Sequence, residues 1–371
     1  MITKTGEKAM RRVHGGAGPR RPWTWFVCLL AIGAATVGGQ SNGAPLSFTT
    51  YTTADGMSSD IVRSVYARGS YIYASHSFYG TGLSVSADNG ATWSTVTTTE
   101  GLGSDVVEEV TGVGSAVYTA TMSGVSISND LGSTWSDRNQ ANGFPGEGSY
   151  AIFATAGTIY ASYAINDPST RGVARSTDNG STWSSSVLAG SVYTIFADGS
   201  NVYAGTNQGL EISADGGATW NNHSFGANKI VWGAWGNGST VYAATEDDGL
   251  WASTDGGATW AKNGLADNML RGLFVSAGTL YVSGGGGLSI SSDGGATWQN
   301  YTSADGLGSD FCLDAYVDGN KLYVATAGGV SVATLTSAVP EIDPSGLGSV
   351  VALLSGGLGL LERRRRAFAV S

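Results

Sequence analysis

Acidic and aromatic side chains recur through this sequence in an octet, and both types can take part in chemistry. A suitably spaced pair of carboxylates can hydrolyse a glycosidic bond, and Trp offers a flat apolar face to a ligand. Six octets align, from SADNGATW at 86–93 to SSDGGATW at 291–298. Their Asp and Trp residues are Asp88 and Trp93, Asp130 and Trp135, Asp178 and Trp183, Asp215 and Trp220, Asp255 and Trp260, and Asp293 and Trp298.

The remaining octet positions favour a structural role for these residues. An x-Gly pair such as Asn89-Gly90 supplies the positive φ angles of a tight hairpin. Ser and Asp oxygens accept free backbone N–H groups in turns, and the Trp buries a large surface. Leu131 replaces Asn or Gly in the second octet, so we expect a strained turn or a different turn type there.

The octets repeat about every 40 residues, with Asp-to-Asp spacings of 42, 48, 37, 40 and 38. Each repeat contains short apolar runs separated by Gly-containing turns, for example VYTIFA, NVYAGT and LEIS. Such runs are typical of buried strands. Four short strands in a unit of this length predict a β-propeller.

The octet resembles the Asp-box (BNR) repeat, Ser-x-Asp-x-Gly-x-Thr-Trp. This resemblance implies that each octet joins the third and fourth strands of a blade, far from the binding face. Asp-box propellers include sialidases, which use an arginine cluster and a Tyr nucleophile. No Arg-Ile-Pro motif precedes the first octet here, and sialidase activity is therefore not expected.

The number of blades exceeds the number of octets by one. Residues 311–335 supply three further strands without an octet, and FTTYTTADGMSSD at 48–60 matches WQNYTSADGLGSD at 298–310. The N-terminal segment therefore reads as a fourth strand without a blade. We predict an all-β, seven-bladed propeller over residues 45–336 with four-stranded antiparallel blades, closed when 48–53 pairs with 330–335 in blade seven.

Both ends of the chain read as targeting segments. Residues 1–44 show the basic, apolar, small-residue order of a secretory signal. Residues 337–371 join Val339, Pro340 and Glu341 to a short apolar stretch that ends in a basic cluster, a layout similar to the PEP-CTERM sorting signal of bacterial exosortase substrates. That cluster consists of Arg363, Arg364, Arg365 and Arg366.

The sorting resemblance implies an exosortase-type partner, transient anchoring through a C-terminal transmembrane helix, and release to the cell surface or matrix. The body of the chain is strongly acidic, because 25 of the 29 Asp and Glu residues lie between 45 and 340 beside nine Lys or Arg. An acidic body argues against nucleic acid as a partner.

The sequence contains no recognisable arrangement of catalytic residues. The body has two His residues, neither beside a nucleophile motif, and no His/Cys metal spacing. We expect no catalytic residues, no metal site and no cofactor, with weak Ca²⁺ binding by Asp loops left open. Cys312 is expected to be a buried apolar residue, and Trp232 and Trp235 to pack within a blade.

Any ligand is expected on the face opposite the octets, where three loops combine aromatic and polar residues. Their candidate binding residues are His76, Phe78 and Tyr79; Asn166, Asp167 and Arg171; and Glu246, Asp247 and Asp248. We predict an exported, non-catalytic binding or scaffold module. A glycan-active hydrolase is the alternative, favoured by an acidic pair facing a roomy channel, and a ligand-sensing propeller is a lesser one.

Overall fold

The chain forms a ring of seven four-stranded antiparallel sheets, as the repeat predicts. A computed structural model describes residues 45–335, except for 165–169, 227–228 and 266–268. The predicted targeting segments lie outside the described residues. Within the described part of the chain, no helix has the length and apolar character needed to cross a membrane.

Each sheet is one blade. The first strands lie at the inner edges of the blades, where they contact the first strands of neighbouring blades. These inner strands are β2 (Ser64–Arg68), β6 (Val107–Val113), β10 (Ile152–Thr155), β14 (Val192–Asp198), β18 (Val231–Gly236), β22 (Leu270–Ser276) and β26 (Cys312–Asp318). The second strands are β3 (Tyr71–Ser75), β7 (Ala116–Thr121), β11 (Thr158–Tyr163), β15 (Asn201–Thr206), β19 (Val241–Thr245), β23 (Thr279–Gly284) and β27 (Lys321–Thr326).

The outer half of each blade completes the sheet. The third strands are β4 (Leu83–Ser86), β8 (Gly124–Ser128), β12 (Gly172–Ser176), β16 (Gly209–Ser213), β20 (Gly249–Ser253), β24 (Gly287–Ser291) and β28 (Gly329–Thr334). The fourth strands are β5 (Ser94–Val96), β9 (Ser136–Arg138), β13 (Ser184–Val187), β17 (Asn221–His223), β21 (Ala261–Lys262), β25 (Gln299–Tyr301) and, for blade seven, β1 (Phe48–Tyr51). Single-turn 3-10 helices follow four of them, at Thr53–Asp55, Thr98–Glu100, Gln140–Asn142 and Ser303–Asp305.

The N-terminal strand closes the ring as predicted. Phe48 lies opposite Ala333 and Tyr51 opposite Val330 in the β1–β28 pair. The closing strand also contacts both neighbouring blades, because Phe48 packs edge-on against Tyr301 at 5.7 Å and Tyr51 packs against Trp93. Closure removes the two sheet edges that an open ring would expose.

All six octets form the same hydrogen-bonded hairpin between the third and fourth strands. In the fourth octet Ser213 Oγ donates to Asp215 Oδ1 and accepts the Gly217 N–H, each at 2.8 Å. The Asp215 carboxylate also accepts the Thr219 N–H at 2.8 Å and the Thr219 hydroxyl at 2.6 Å. These donors hold the pKa of Asp215 down to about 2. The carboxylate is thus occupied in holding its own turn.

The substituted octet keeps this turn. Leu131 has φ of +57°, against +61° for Asn89 and +57° for Asn179. Ser128 and Asp130 make the same contacts as their counterparts. The turn type is therefore unchanged. The departure from the pattern leaves a branched apolar residue in the left-handed region, which residues other than Gly, Asn and Asp rarely enter.

Strand direction assigns the loops to two faces. The octet loops and the turns between first and second strands share the octet face. The turns between second and third strands and the blade-to-blade loops share the other, here named the distal face. Every first strand begins at the distal face, so the opening residues of seven inner strands converge there around the central axis.

Candidate functional site

The first predicted loop exposes two aromatic side chains to solvent, but its histidine is buried. Phe78 is 50% exposed and Tyr79 is 86% exposed. His76 is fully buried, and its ring nitrogens lie 2.9 Å from Ile61 O and from Ser84 Oγ. Burial lowers the pKa of His76. The imidazole thus ties the loop to its own blade, while the two aromatic residues face solvent.

The other two predicted loops differ in what they present. Asn166 and Asp167 lie outside the described residues, whereas Arg171 Nη1 donates to Ser191 Oγ at 2.9 Å. The three candidate residues of the third loop have different surroundings. Asp247 is exposed, Asp248 forms an ion pair with Lys262, and Glu246 pairs with Arg271 at 2.7 Å, which connects this loop to the central channel.

Exposed apolar side chains concentrate on the distal face. Among the described residues, all the large hydrophobic side chains that are exposed lie there, in distal loops or at the distal end of a strand. They are Phe78, Tyr79, Met122, Val187 and Met269. The octet face carries none of them. All five lie on one face of the ring, which favours that face over the octet face as the place where a partner binds.

Seven equivalent residues form a ring where the central channel opens on the distal face. In five blades this residue stands at a register shift between the first and second strands, as Glu108 does between Val107 and Glu109. Such a β-bulge re-aims a side chain. The set, named here the mouth ring, comprises Arg63, Glu108, Tyr150, Tyr193, Trp232, Arg271 and Leu313, and all seven line a cavity of about 120 Å³.

A second ring lies three residues further along each inner strand. It is aromatic at six of seven positions: Tyr66, Thr111, Phe153, Phe196, Trp235, Phe274 and Tyr316. Neighbouring rings pack closely, with 5.0 Å between the centroids of Phe153 and Phe196 and 5.1 Å between those of Tyr66 and Tyr316. These residues form the apolar floor of the cavity beneath the charged mouth ring.

Charge is distributed unevenly around the mouth ring. The guanidinium carbons of Arg271 and Arg63 lie 4.8 and 5.6 Å from the centre of the Trp232 ring, within cation–π range. Arg63 Nε is 3.9 Å from a Glu108 oxygen, too far for a hydrogen bond. The basic groups thus gather on Trp232, while Glu108, Tyr150 and Tyr193 form a part of the ring without a basic residue, named here the Glu108 side.

Two more carboxyl groups line the cavity and connect adjacent blades. Glu109 Oε2 accepts the Ile152 N–H at 2.7 Å, and Asp314 Oδ2 accepts the Val65 N–H at 3.2 Å. Burial raises the pKa of Glu109 to about 8 and raises that of Asp314. Burial also raises the pKa of Glu108, which the Arg63 charge only partly offsets.

This arrangement suits recognition of a small group better than polymer hydrolysis. Glu109 and Asp314 each already accept a backbone N–H, and the cavity is small beside the 300–1,000 Å³ of common ligand pockets. No cluster of three or more His, Cys, Asp or Glu suited to a metal ion occurs among residues 45–335 outside the gaps. The mouth offers aromatic faces, fixed charges and an apolar floor.

Sequence reasoning did not single out these channel residues as a site. Trp232, expected to pack within a blade, packs against Tyr193 at 4.5 Å and also faces the channel. The available signal was a large polar or aromatic residue just before the apolar core of successive inner strands, as in IVRSVY, VVEEV and MLRGLF. Those residues recur at the repeat spacing.

Comparison with known proteins supports the fold. No protein-family model matches the chain, and no curated protein sequence matches it. Solved structures do resemble it. One is the extracellular domain of a protein described as a hybrid two-component system from B. thetaiotaomicron, with 16% identity and a TM-score of 0.62 over 79% of this chain. The chain spans 40% of the length of that structure.

Two further structures are similar over nearly the same span. YCF48 bound to a D1 peptide shares 14% identity, with a TM-score of 0.60 over 80% of this chain and 98% of that one. The GH74 enzyme of Niastella koreensis shares 15%, with a TM-score of 0.56 over 79% of this chain and 54% of that one. At such identities, the similarity shows a propeller fold but no specific function.

Proposed function

We propose that this chain is an exported Asp-box propeller that acts as a non-catalytic binding module through its distal face. The observation that carries the proposal is the asymmetry between the two faces. The distal face holds the exposed apolar side chains and the charged, aromatic mouth ring, whereas the octet face is occupied by turns whose polar groups satisfy one another.

Export is part of the proposal and rests on the terminal sequences. The signal-like order of residues 1–44 and the PEP-CTERM-like layout of residues 337–371 support secretion, exosortase-type sorting and delivery to the cell surface or matrix. The extracellular domain among the similar structures has the same fold. An acidic body with few basic residues suits such a location.

Arrays of glycans and of peptides, probed with the full-length protein, test the binding function. We expect retention on one array class, and at least a tenfold loss of affinity for Trp232→Ala or for the pair Phe78→Ser and Tyr79→Ser. Asp198→Asn, which changes an exposed residue on the octet face, serves as the control. Equal retention of wild type and both distal variants would place the ligand elsewhere.

A glycan hydrolase is the second candidate, because Glu109 and Asp314 face one cavity with raised pKa values. Carboxyl groups of this kind can act as general acids. Release of reducing sugar from a polysaccharide panel, abolished by Glu109→Gln, would establish this candidate. We expect no release, since the cavity is too small for a sugar chain to reach both groups.

A further inference from the structure

We infer that the Glu108 side of the mouth ring, formed by Glu108, Tyr150 and Tyr193, binds an organic cation, an ammonium or guanidinium group carried by the ligand. The inference rests on the proposed binding function and specifies the chemistry of that site. It follows from three features of the described channel residues: a carboxylate without a hydrogen-bond donor, two tyrosine rings with no cation over them, and an excess of acidic groups.

The Glu108 carboxylate has no hydrogen-bond donor among the described residues. Its basic neighbour, Arg63, approaches to 3.9 Å and shares its charge with the face of Trp232. The side chain of Glu108 is 14% exposed, and that exposure is to the channel. A mostly buried carboxylate without donors is costly, so an N–H group entering from the channel would be stabilised there.

The tyrosines beside Glu108 offer the aromatic surface that cation recognition uses. The Tyr193 ring lies 6.4 Å from Tyr150 and 4.5 Å from Trp232, so the three form a continuous wall. Trp232 already holds two guanidinium groups of the chain itself, while no described cation lies over Tyr150 or Tyr193. A cation placed between Glu108 and these rings combines an ion pair with cation–π contacts.

The charges around the cavity leave room for a further positive group. Glu108, Glu109 and Asp314 all line it, and Glu109, which burial holds protonated up to about pH 8, can release its proton when a cation enters. The charge of Arg271 is matched by Glu246 at 2.7 Å. Arg63 is then the remaining cation among the described lining residues. The acidic body of the chain adds a long-range attraction for cations. The described residues hold no cluster suited to a metal ion, and the aromatic wall selects an organic cation instead.

The test compares two probes of the same shape that differ in charge, N-acetyl-arginine amide and N-acetyl-citrulline amide. Binding to the full-length protein is measured by saturation-transfer NMR and calorimetry. We expect the arginine probe to bind at least tenfold more tightly. Glu108→Gln and Tyr193→Leu should each reduce that preference at least fivefold, while Asp198→Asn on the octet face should retain it.

Two outcomes would overturn the inference. One is equal binding of both probes, or binding of neither, by the wild-type protein. The other is an unchanged preference in a folded Glu108→Gln protein, with folding checked by its thermal transition. Either result leaves the proposed binding function to be decided by the arrays, because loss of array binding in Trp232→Ala does not depend on ligand charge.

Discussion

Glu109 in blade two accepts the backbone N–H of Ile152 in blade three at 2.7 Å, so a carboxyl group joins adjacent inner strands. The same geometry recurs next to it, where Ser64 Oγ accepts the Val110 N–H at 3.4 Å, and again where Asp314 accepts the Val65 N–H. The acceptors occupy equivalent positions, as do the donors. Side-chain oxygens thus connect blades seven, one, two and three around the channel.

Stability should fall with rising pH because of Glu109. Burial raises its pKa from 4.5 to about 8, so between these values the folded chain holds a proton that the unfolded chain has released. Such a group lowers the free energy of unfolding by at most about 1.4 kcal/mol per pH unit. Between pH 6.5 and 8 we expect a loss of about 2 kcal/mol from this group, measured by denaturant unfolding at each pH.

Glu109→Gln keeps the acceptor for Ile152 and removes the titration. We expect its unfolding free energy to vary less between pH 6.5 and 8 than that of the wild type. The lower limit avoids His76, whose lowered pKa places its contribution below its ordinary value near 6.5. Parallel profiles for the two proteins would show that Glu109 is not protonated in the fold.

The blades and the closing strand could be predicted because their sequence motifs are repeated along the chain. The octets mark six blades because each repeats the same local turn chemistry, and the match of 48–60 to 298–310 locates the closing strand. Local hydrogen bonds, as between Ser213 and Asp215, are encoded within eight residues. Such features are readable in one chain without any knowledge of distant contacts.

The mouth ring is different, because its seven members come from seven blades and meet only after the ring closes. Nothing near Trp232 in the sequence shows that Arg63 and Arg271 lie over its face. His76 shows the reverse case. An aromatic-rich loop suggested a binding role, yet its imidazole is buried against Ile61 and Ser84. The mouth ring depends on assembly of all seven blades, whereas the burial of His76 depends on packing around its own blade.

The octet aspartates should resist protonation to low pH because their own threonines donate to them. In the fourth octet the Thr219 hydroxyl and N–H hold the pKa of Asp215 down to about 2. Since the folded pKa is depressed, the stabilisation is present above about pH 4 and is lost as the pH falls toward 2. Thr219→Val should raise the pKa of Asp215, as followed by carboxyl ¹³C titration.

Thr219→Ser is the matched control, because it retains the hydroxyl donor. Its Asp215 titration should overlay that of the wild type. A Thr219→Val protein with an unshifted titration would mean that the Ser213 hydroxyl and the backbone N–H groups stabilise the carboxylate without the Thr219 hydroxyl.

Leu131 offers a site for stabilisation by a single substitution. A non-glycine residue in the left-handed region costs about 1 kcal/mol, and Asn tolerates that region better than Leu. Leu131→Asn should therefore raise the free energy of unfolding by about 0.5–1 kcal/mol. Leu131→Ala keeps the strained φ of +57° and should give no gain, so equal effects of the two substitutions in denaturant unfolding would exclude backbone strain as the cause.

Weakening the closing strand should open blade seven before the rest of the ring. Phe48 and Tyr51 anchor β1 to the two neighbouring blades through Tyr301 and Trp93. The double variant Phe48→Ala and Tyr51→Ala removes both contacts, at about 2 kcal/mol for each half-buried ring. Cys312, at the start of β26, reports the opening because it is fully buried and burial raises its pKa to about 12.

In a Cys28→Ser background, alkylation of Cys312 in mild denaturant should be much faster in the double variant than in the wild type. Phe225→Ala, which truncates a buried ring between blades four and five, supplies a control of similar destabilisation. We expect it to leave Cys312 protected until the whole chain unfolds, because its cavity lies away from the closing pair. Equal alkylation in the two variants at equal unfolding free energy would mean that the ring opens everywhere at once and that β1 is not its weakest point.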